Sequence, residues 1–180
     1  MFSGLSPACL DTALGRMLKI FRQSRGFLLP LLICFCLSGC GFFSFSPDQE
    51  EIVTGYKKGT VARTACSQIG KSYRAGAASP HKGFDCSGLV WWSYLQHGIK
   101  VPRITLDQAK TGKAVAKKHV RPGDIVVFKT SNSPNGLHTG IYCGKGKFVH
   151  SPSKGKKVCL EKLNEGWWGK RLVAIRRVTP

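Results

Sequence analysis

The chain has 180 residues, 42% of them hydrophobic, which is room for one ordinary core plus a leader or tail and too little for two full domains. Its 28 Lys and Arg stand against 9 Asp and Glu, a formal net charge of +19, so the surface is cationic and drawn to polyanions. The basic residues come singly or in short groups such as Lys154, Lys156 and Lys157, with no zinc-ligand spacing, phosphate-binding loop or RNA-binding aromatic motif, so no nucleic-acid partner is expected.

Residues 27–37 (FLLPLLICFCL) form an apolar run preceded by Arg16, Lys19, Arg22 and Arg25. The run is well short of the roughly 20 apolar residues that span a bilayer, and Pro30 interrupts it, so it reads as a signal peptide. Residues 37–40, LSGC, resemble the lipobox of bacterial lipoproteins. That resemblance implies removal of residues 1–39 as a lipoprotein signal peptide and acylation of Cys40, with palmitate-type chains holding the protein on a membrane. Gly41 stands where aspartate would retain such a protein at the inner membrane, which points to the outer membrane, facing the periplasm. The alternative is that Cys40 ends an uncleaved signal anchor. A leader starting at Met17 has ordinary length and an early basic region, so Met17 competes with Met1 as the start.

Residues 40–52 are polar and lack an apolar period, which suits a lipidated N-terminus and tether, and residues 53–180 read as the folded domain. Val61, Ala65 and Ile69 recur at helical spacing, so a first helix should run from within residues 53–73 to near Gly70. Residues 73–83, rich in Gly, Ala, Ser and Pro, should form a loop. A second helix should open at Cys86 and run to about His97, burying Leu89, Val90, Trp92 and Leu95, with Gly98 stopping it. Residues 105–116 are expected as a short helix. Beyond them, residues 124–128 (DIVVF), 138–143 (HTGIYC), 147–151 (KFVHS), 158–163 and 172–178 read as strands. Helices followed by a strand meander predict an α+β fold with N-terminal helices on a mostly antiparallel sheet of about five strands. Cys143 and Cys159 fall in neighbouring strands, where a disulfide and two buried thiols both fit.

Cys86 is the candidate nucleophile. In GFDCSGLV, residues 83–90, it sits at the start of a helix, where unpaired backbone N–H groups and the positive end of the helix dipole favour thiolate. A small unpaired cysteine also serves as core filler. Thiol chemistry on an amide needs a base that can return its proton to the departing amine, and imidazole titrates in the useful range. His138 and His150 fall on successive strands that a hairpin joins. Alternation lets both point toward the helix bearing Cys86, with His138 as base and His150 as the group orienting it. Taken singly, each reads first as a structural or surface histidine.

GFDCSGLV, VPR at residues 101–103, Gln108, RPGDIVVF at 121–128, HTGIYCG at 138–144 and FVHS at 148–151 together resemble the NlpC-type papain-like cysteine peptidases of bacterial cell walls. The resemblance covers nearly all of residues 73–178. It implies a papain-like fold and hydrolysis of an amide bond in peptidoglycan stem peptides, with no metal or organic cofactor, by a protein acting as a monomer. Position by position it implies Cys86 as nucleophile, His138 as base, His150 as the third polar residue, Tyr73 lining the pocket near the oxyanion, and Asp85 and Ser87 contacting the amine end of the substrate. For Tyr73, Asp85 and Ser87 the alternatives are a packed aromatic, a helix cap and a first-turn hydroxyl. Ala77, Ala78 and Thr139 depart from the family pattern, a change that bears on pocket shape. Competing classes are a lipid or acyl-transfer enzyme with a similar site, and a wall-binding module whose triad is a relic.

Overall fold

The computed structural model describes residues 59–179 except Asn132 and Pro134, so the leader, Cys40, the tether and the start of the first expected helix lie outside the described residues. Helix α1 (Val61–Cys66) is capped by Thr60, whose hydroxyl accepts from the Arg63 N–H at 3.3 Å, and buries Ala62, Ala65 and Cys66. It ends well before Gly70. The Gln68 and Ile69 N–H groups turn back to carbonyls three residues earlier, and Gly70 donates instead to Val158 O. Within the expected loop, β1 (Ala78–Ser79) and β2 (Gly83–Phe84) pair as a two-residue antiparallel ladder.

Helix α2 (Cys86–Leu95) starts where the sequence places it. Its end is closed by the Gly98 and Ile99 N–H groups, which donate to the Leu95 and Tyr94 carbonyls. Leu89 and Val90 are buried as expected, but Leu95 is 41% exposed and Tyr94 takes the inward position instead. The Tyr94 hydroxyl donates to Gly123 O at 2.5 Å, which lets a large amphipathic ring go inside with its polar tip satisfied.

The expected helix over residues 105–116 divides in two. Helix α3 (Thr105–Gln108) ends after one turn and β3 (Lys113–Ala114) joins the sheet. The Arg176 guanidinium donates to Lys110 O and Thr111 O, drawing off carbonyls that a continuing helix would use. A 3-10 turn (Lys117–His119) leads to β4 (Ile125–Lys129), β5 (Leu137–Gly144), β6 (Lys147–His150), β7 (Cys159–Lys162), the short helix α4 (Gly166–Gly169) and β8 (Leu172–Arg177). The main sheet has six antiparallel strands in the order β3-β8-β4-β5-β6-β7.

Two cores follow from strand alternation. Ile125, Val127, Ile141, Cys143 and Val149 pack with Leu89, Val90 and Tyr94 of α2 and with Ala62, Ala65 and Cys66 of α1. Val126, Phe128, Tyr142, Phe148, Leu163 and Ile175 form the second cluster on the opposite face, with Trp168 against it. Cys143 is a free thiol whose sulfur lies 2.9 Å from that of Cys66, so of the two alternatives the sequence left open, a Cys143–Cys159 disulfide is the one ruled out. The reason is register: Cys143 points to the α1 side of the sheet, and the residue paired with Cys159 is His150.

α2 can approach β1 only because residue 88 lacks a side chain. A Cβ there would stand 2.2 Å from Ala77 O and 2.9 Å from Asp85 Oδ1. Gly88→Ala should therefore lower stability in urea unfolding by about 1–3 kcal/mol, although alanine is intrinsically the better helix former by roughly 1 kcal/mol. A stabilised Gly88→Ala protein would show that this packing is looser than the geometry indicates.

Candidate active site

The turn into α2 is organised by one carboxylate. Asp85 Oδ1 accepts from Gly88 N at 2.6 Å, as the helix cap, and from Ser87 Oγ at 3.2 Å, while Oδ2 accepts from Gly76 N at 2.9 Å. Arg103 closes the cluster bidentately: Nη1 donates to Asp85 Oδ1 at 3.0 Å and Nη2 to Oδ2 at 2.8 Å, with further bonds to Ser87 Oγ and Ala77 O. A planar guanidinium matches a carboxylate edge to edge, so it fixes orientation as well as charge. Asp85 and Ser87 thus direct their polar groups into the frame that holds Cys86, which is the helix-cap and first-turn-hydroxyl alternative of the sequence reading.

Cys86 is half-buried at the first position of α2. Its sulfur lies 3.8 Å from Thr105 Oγ1 and receives backbone N–H groups from Ser87 and Thr139. Burial pushes this thiol above its ordinary value and the Asp85 carboxylate adds to that, while the Thr139, Thr105 and Ser87 donors pull the other way. Burial prevails over the helix terminus. The resting group is a thiol, where the sequence argument favours thiolate.

His138 and His150 share a face of the sheet, as alternation requires, and His138 Nε2 lies 2.8 Å from His150 Nδ1. Both rings are buried. Gly140 makes their approach possible, because a Cβ there would stand 3.1 Å from His150 Cβ and 2.9 Å from Phe148 Cδ2. Their face is that of Phe128, Phe148 and Trp168, with Trp168 4.8 Å from the His150 ring and 5.1 Å from that of His138, centroid to centroid. This corrects the expectation that both imidazoles point toward α2: the residues that pack against α2 are the odd ones, Ile141 and Cys143. The nucleophile candidate meets β5 at backbone level instead, through the N–H of Thr139, the residue next to His138. Among the described residues, no hydrogen bond joins Cys86 to His138 directly.

Burial holds His138 down at about 4 and His150 well below its ordinary value, the latter aided by His138 and by the Lys156 ammonium. Both rings are neutral near neutrality. With His138 Nδ1 left as the accepting nitrogen, Nε2–H donates to His150 Nδ1, and His150 then carries its proton on Nε2, which lies 3.7 Å from Cys159 Sγ. Tyr73 sits near Cys86 and Asp85: burial raises its phenol, and the charges of those two residues raise it further.

Arg103, Thr105, Thr139 and Trp168 are site neighbours that the sequence reading did not assign. Arg103 carried a signal, since a half-buried aspartate needs a cation and VPR follows α2; Trp168 carried none beyond a WW pair in a short segment.

Residues 70–177 match the NlpC/P60 family model. The chain is 38% identical over 114 residues to murein DD-endopeptidase MepH of Escherichia coli K12, covering 62% of this chain and 42% of that protein. It is 41% identical over 110 residues to murein DD-endopeptidase MepS/murein LD-carboxypeptidase of the same strain, covering 61% of this chain and 56% of that protein. It thus spans about half the length of these relatives. Among solved structures it is similar to an NlpC/P60 family protein from Bacillus cereus, with a TM-score of 0.61 and 31% identity over 67% of this chain and 39% of that one.

Because the folded domain keeps both imidazoles neutral while the unfolded chain protonates them near 6.5, stability should fall as pH drops from about 6.5 to about 4. Thermal midpoints across that window should decline more steeply for the native protein than for His138→Gln/His150→Gln, and parallel curves would remove the imidazoles as the cause.

Proposed function

Since the chain belongs to the NlpC/P60 family, we propose that it is a cysteine endopeptidase that hydrolyses an amide bond in peptidoglycan stem peptides. The observation that carries this reading is the buried His138–His150 pair at 2.8 Å, one peptide unit from the backbone group that touches the Cys86 sulfur. A positioned thiol, a base and an orienting group are what acyl transfer through sulfur requires. The relatives named as murein endopeptidases support peptidoglycan as the substrate.

In this mechanism, which requires the His138 ring to reach Cys86 at the end of α2 rather than across its packed face, the S–H proton passes to His138 Nδ1 as sulfur attacks the amide carbonyl, forming a C–S bond and an oxyanion. The Cys86 backbone N–H, at the first helical position and without an intrahelical acceptor, faces that oxygen, with Tyr73 beside it. Collapse breaks the C–N bond, and His138 returns the proton to the departing amine. Water then attacks the thioester with His138 taking its proton, releasing the carboxylic acid and restoring the thiol. His150 holds the His138 ring in the tautomer whose Nδ1 is free and stabilises the transient imidazolium. The neutral resting pair is suited to this, because charge separates only as the substrate closes the site.

We further propose that the domain is held in the cell envelope by acyl chains on Cys40, at the outer membrane facing the periplasm, on the strength of the LSGC sequence.

Incubated with isolated peptidoglycan, the purified protein should release soluble muropeptides, and Cys86→Ala should lose at least about 10³-fold of that activity. Release that survives in Cys86→Ala would remove the assigned nucleophile. Cells fed radiolabelled palmitate should label the native chain but not Cys40→Ala, and equal labelling of both would defeat the anchor.

A further inference from the structure

Gln108 ends α3 fully buried, with its amide satisfied inside the protein. Nε2 donates to Ser87 O at 2.9 Å and to Pro102 O at 2.8 Å, and Oε1 accepts from Thr139 Oγ1 at 3.0 Å. Each partner is one residue away from a member of the site: Ser87 follows Cys86, Thr139 follows His138, and Pro102 precedes Arg103, which grips Asp85. We propose that Gln108 is a positioning residue that sets the spacing between the helix carrying the nucleophile and the strand carrying the base. This rests on the reading of Cys86 as nucleophile and His138 as base.

An amide is the side-chain group that offers two donors and an acceptor in one plane, and at the glutamine length those atoms reach two backbone carbonyls and the Thr139 hydroxyl at once. Glutamate keeps an acceptor for Thr139 but turns an anion on two carbonyl oxygens. Methionine keeps the volume and makes none of the three bonds. Either change leaves buried polar groups unpaired, so helix and strand shift until water or other donors meet them. The Cys86 sulfur registers such a shift directly, because the Thr139 N–H is one of the donors holding its pKa down. Losing that donor moves the thiol further up.

The test measures iodoacetamide modification of the Cys86 peptide against pH by mass spectrometry, in the native protein and in Gln108→Met, Gln108→Glu and Thr139→Val, beside circular dichroism and muropeptide release. Folded Gln108→Met should show its alkylation profile displaced to higher pH by about half a unit or more, and muropeptide release slower by about 10²-fold, in kcat rather than KM. Thr139→Val, which removes one of the three contacts, should move both readouts part of the way. The double variant Gln108→Met/Thr139→Val should be no worse than Gln108→Met. Profiles that superimpose on the native one in a folded Gln108→Met, or losses that simply add in the double variant, would overturn the proposal. Should Gln108→Met not fold, Thr139→Val decides alone, an unmoved profile counting against it. Alkylation needs no substrate, so a displaced profile in a protein without muropeptide release overturns the peptidoglycan reading and leaves the positioning role standing.

Discussion

The carboxylate of Asp85 is the point on which the arrangement around Cys86 depends. It receives the Gly88 N–H of the helix it begins, the Gly76 N–H of the preceding turn, the Ser87 hydroxyl and both terminal nitrogens of Arg103. A cap of this type is worth about 1 kcal/mol to a helix, but its larger effect here is geometric. With those donors in place, the first residue of α2 has one position and one direction. The Arg103 chain segment also carries Pro102, so the helix start, the loop after the helix and the turn before it are fixed together.

Electrostatics at the site follow burial more than charge. A thiol at a helix N-terminus gains from the dipole, typically 0.3–1 kcal/mol when exposed, whereas removing an anion from water costs several times that. The Cys86 sulfur keeps three hydrogen-bond donors and is still driven upward, and both imidazoles are driven downward. Both directions favour neutral partners. The site is therefore built to hold its protons on sulfur at rest and to transfer them when a carbonyl arrives.

Much of this was legible in the sequence. The start of α2 at Cys86 followed from Asp85 ahead of an apolar run, the five long strands from their β-branched content, and the shared face of His138 and His150 from alternation across a hairpin. The side of the sheet was not legible, because period-two alternation says which residues go together and leaves open which of two cores they enter. The break after Gln108 was hidden too, since it depends on the Arg176 guanidinium, more than sixty residues away, taking the Lys110 and Thr111 carbonyls. The two-residue strands lay below any periodic signal. Leu95 misled for a similar reason: a tyrosine with a carbonyl for its hydroxyl competed for the same inward position and took it.

Strand β5 places His138 on one face and Thr139 on the other, and uses both. Every residue of the β5–β6 hairpin is thereby tied to its neighbour's parity: moving the strand by a single residue would send a hydroxyl into the aromatic cluster and an imidazole against the helices. Length variation among descendants of this chain is consequently partitioned. An added or missing residue within residues 137–142 of β5 or 148–150 of β6 exchanges the two faces and dismantles both, whereas the turn at 145–146 and segments outside the ladder can lengthen or shorten while the chemistry stays where it is.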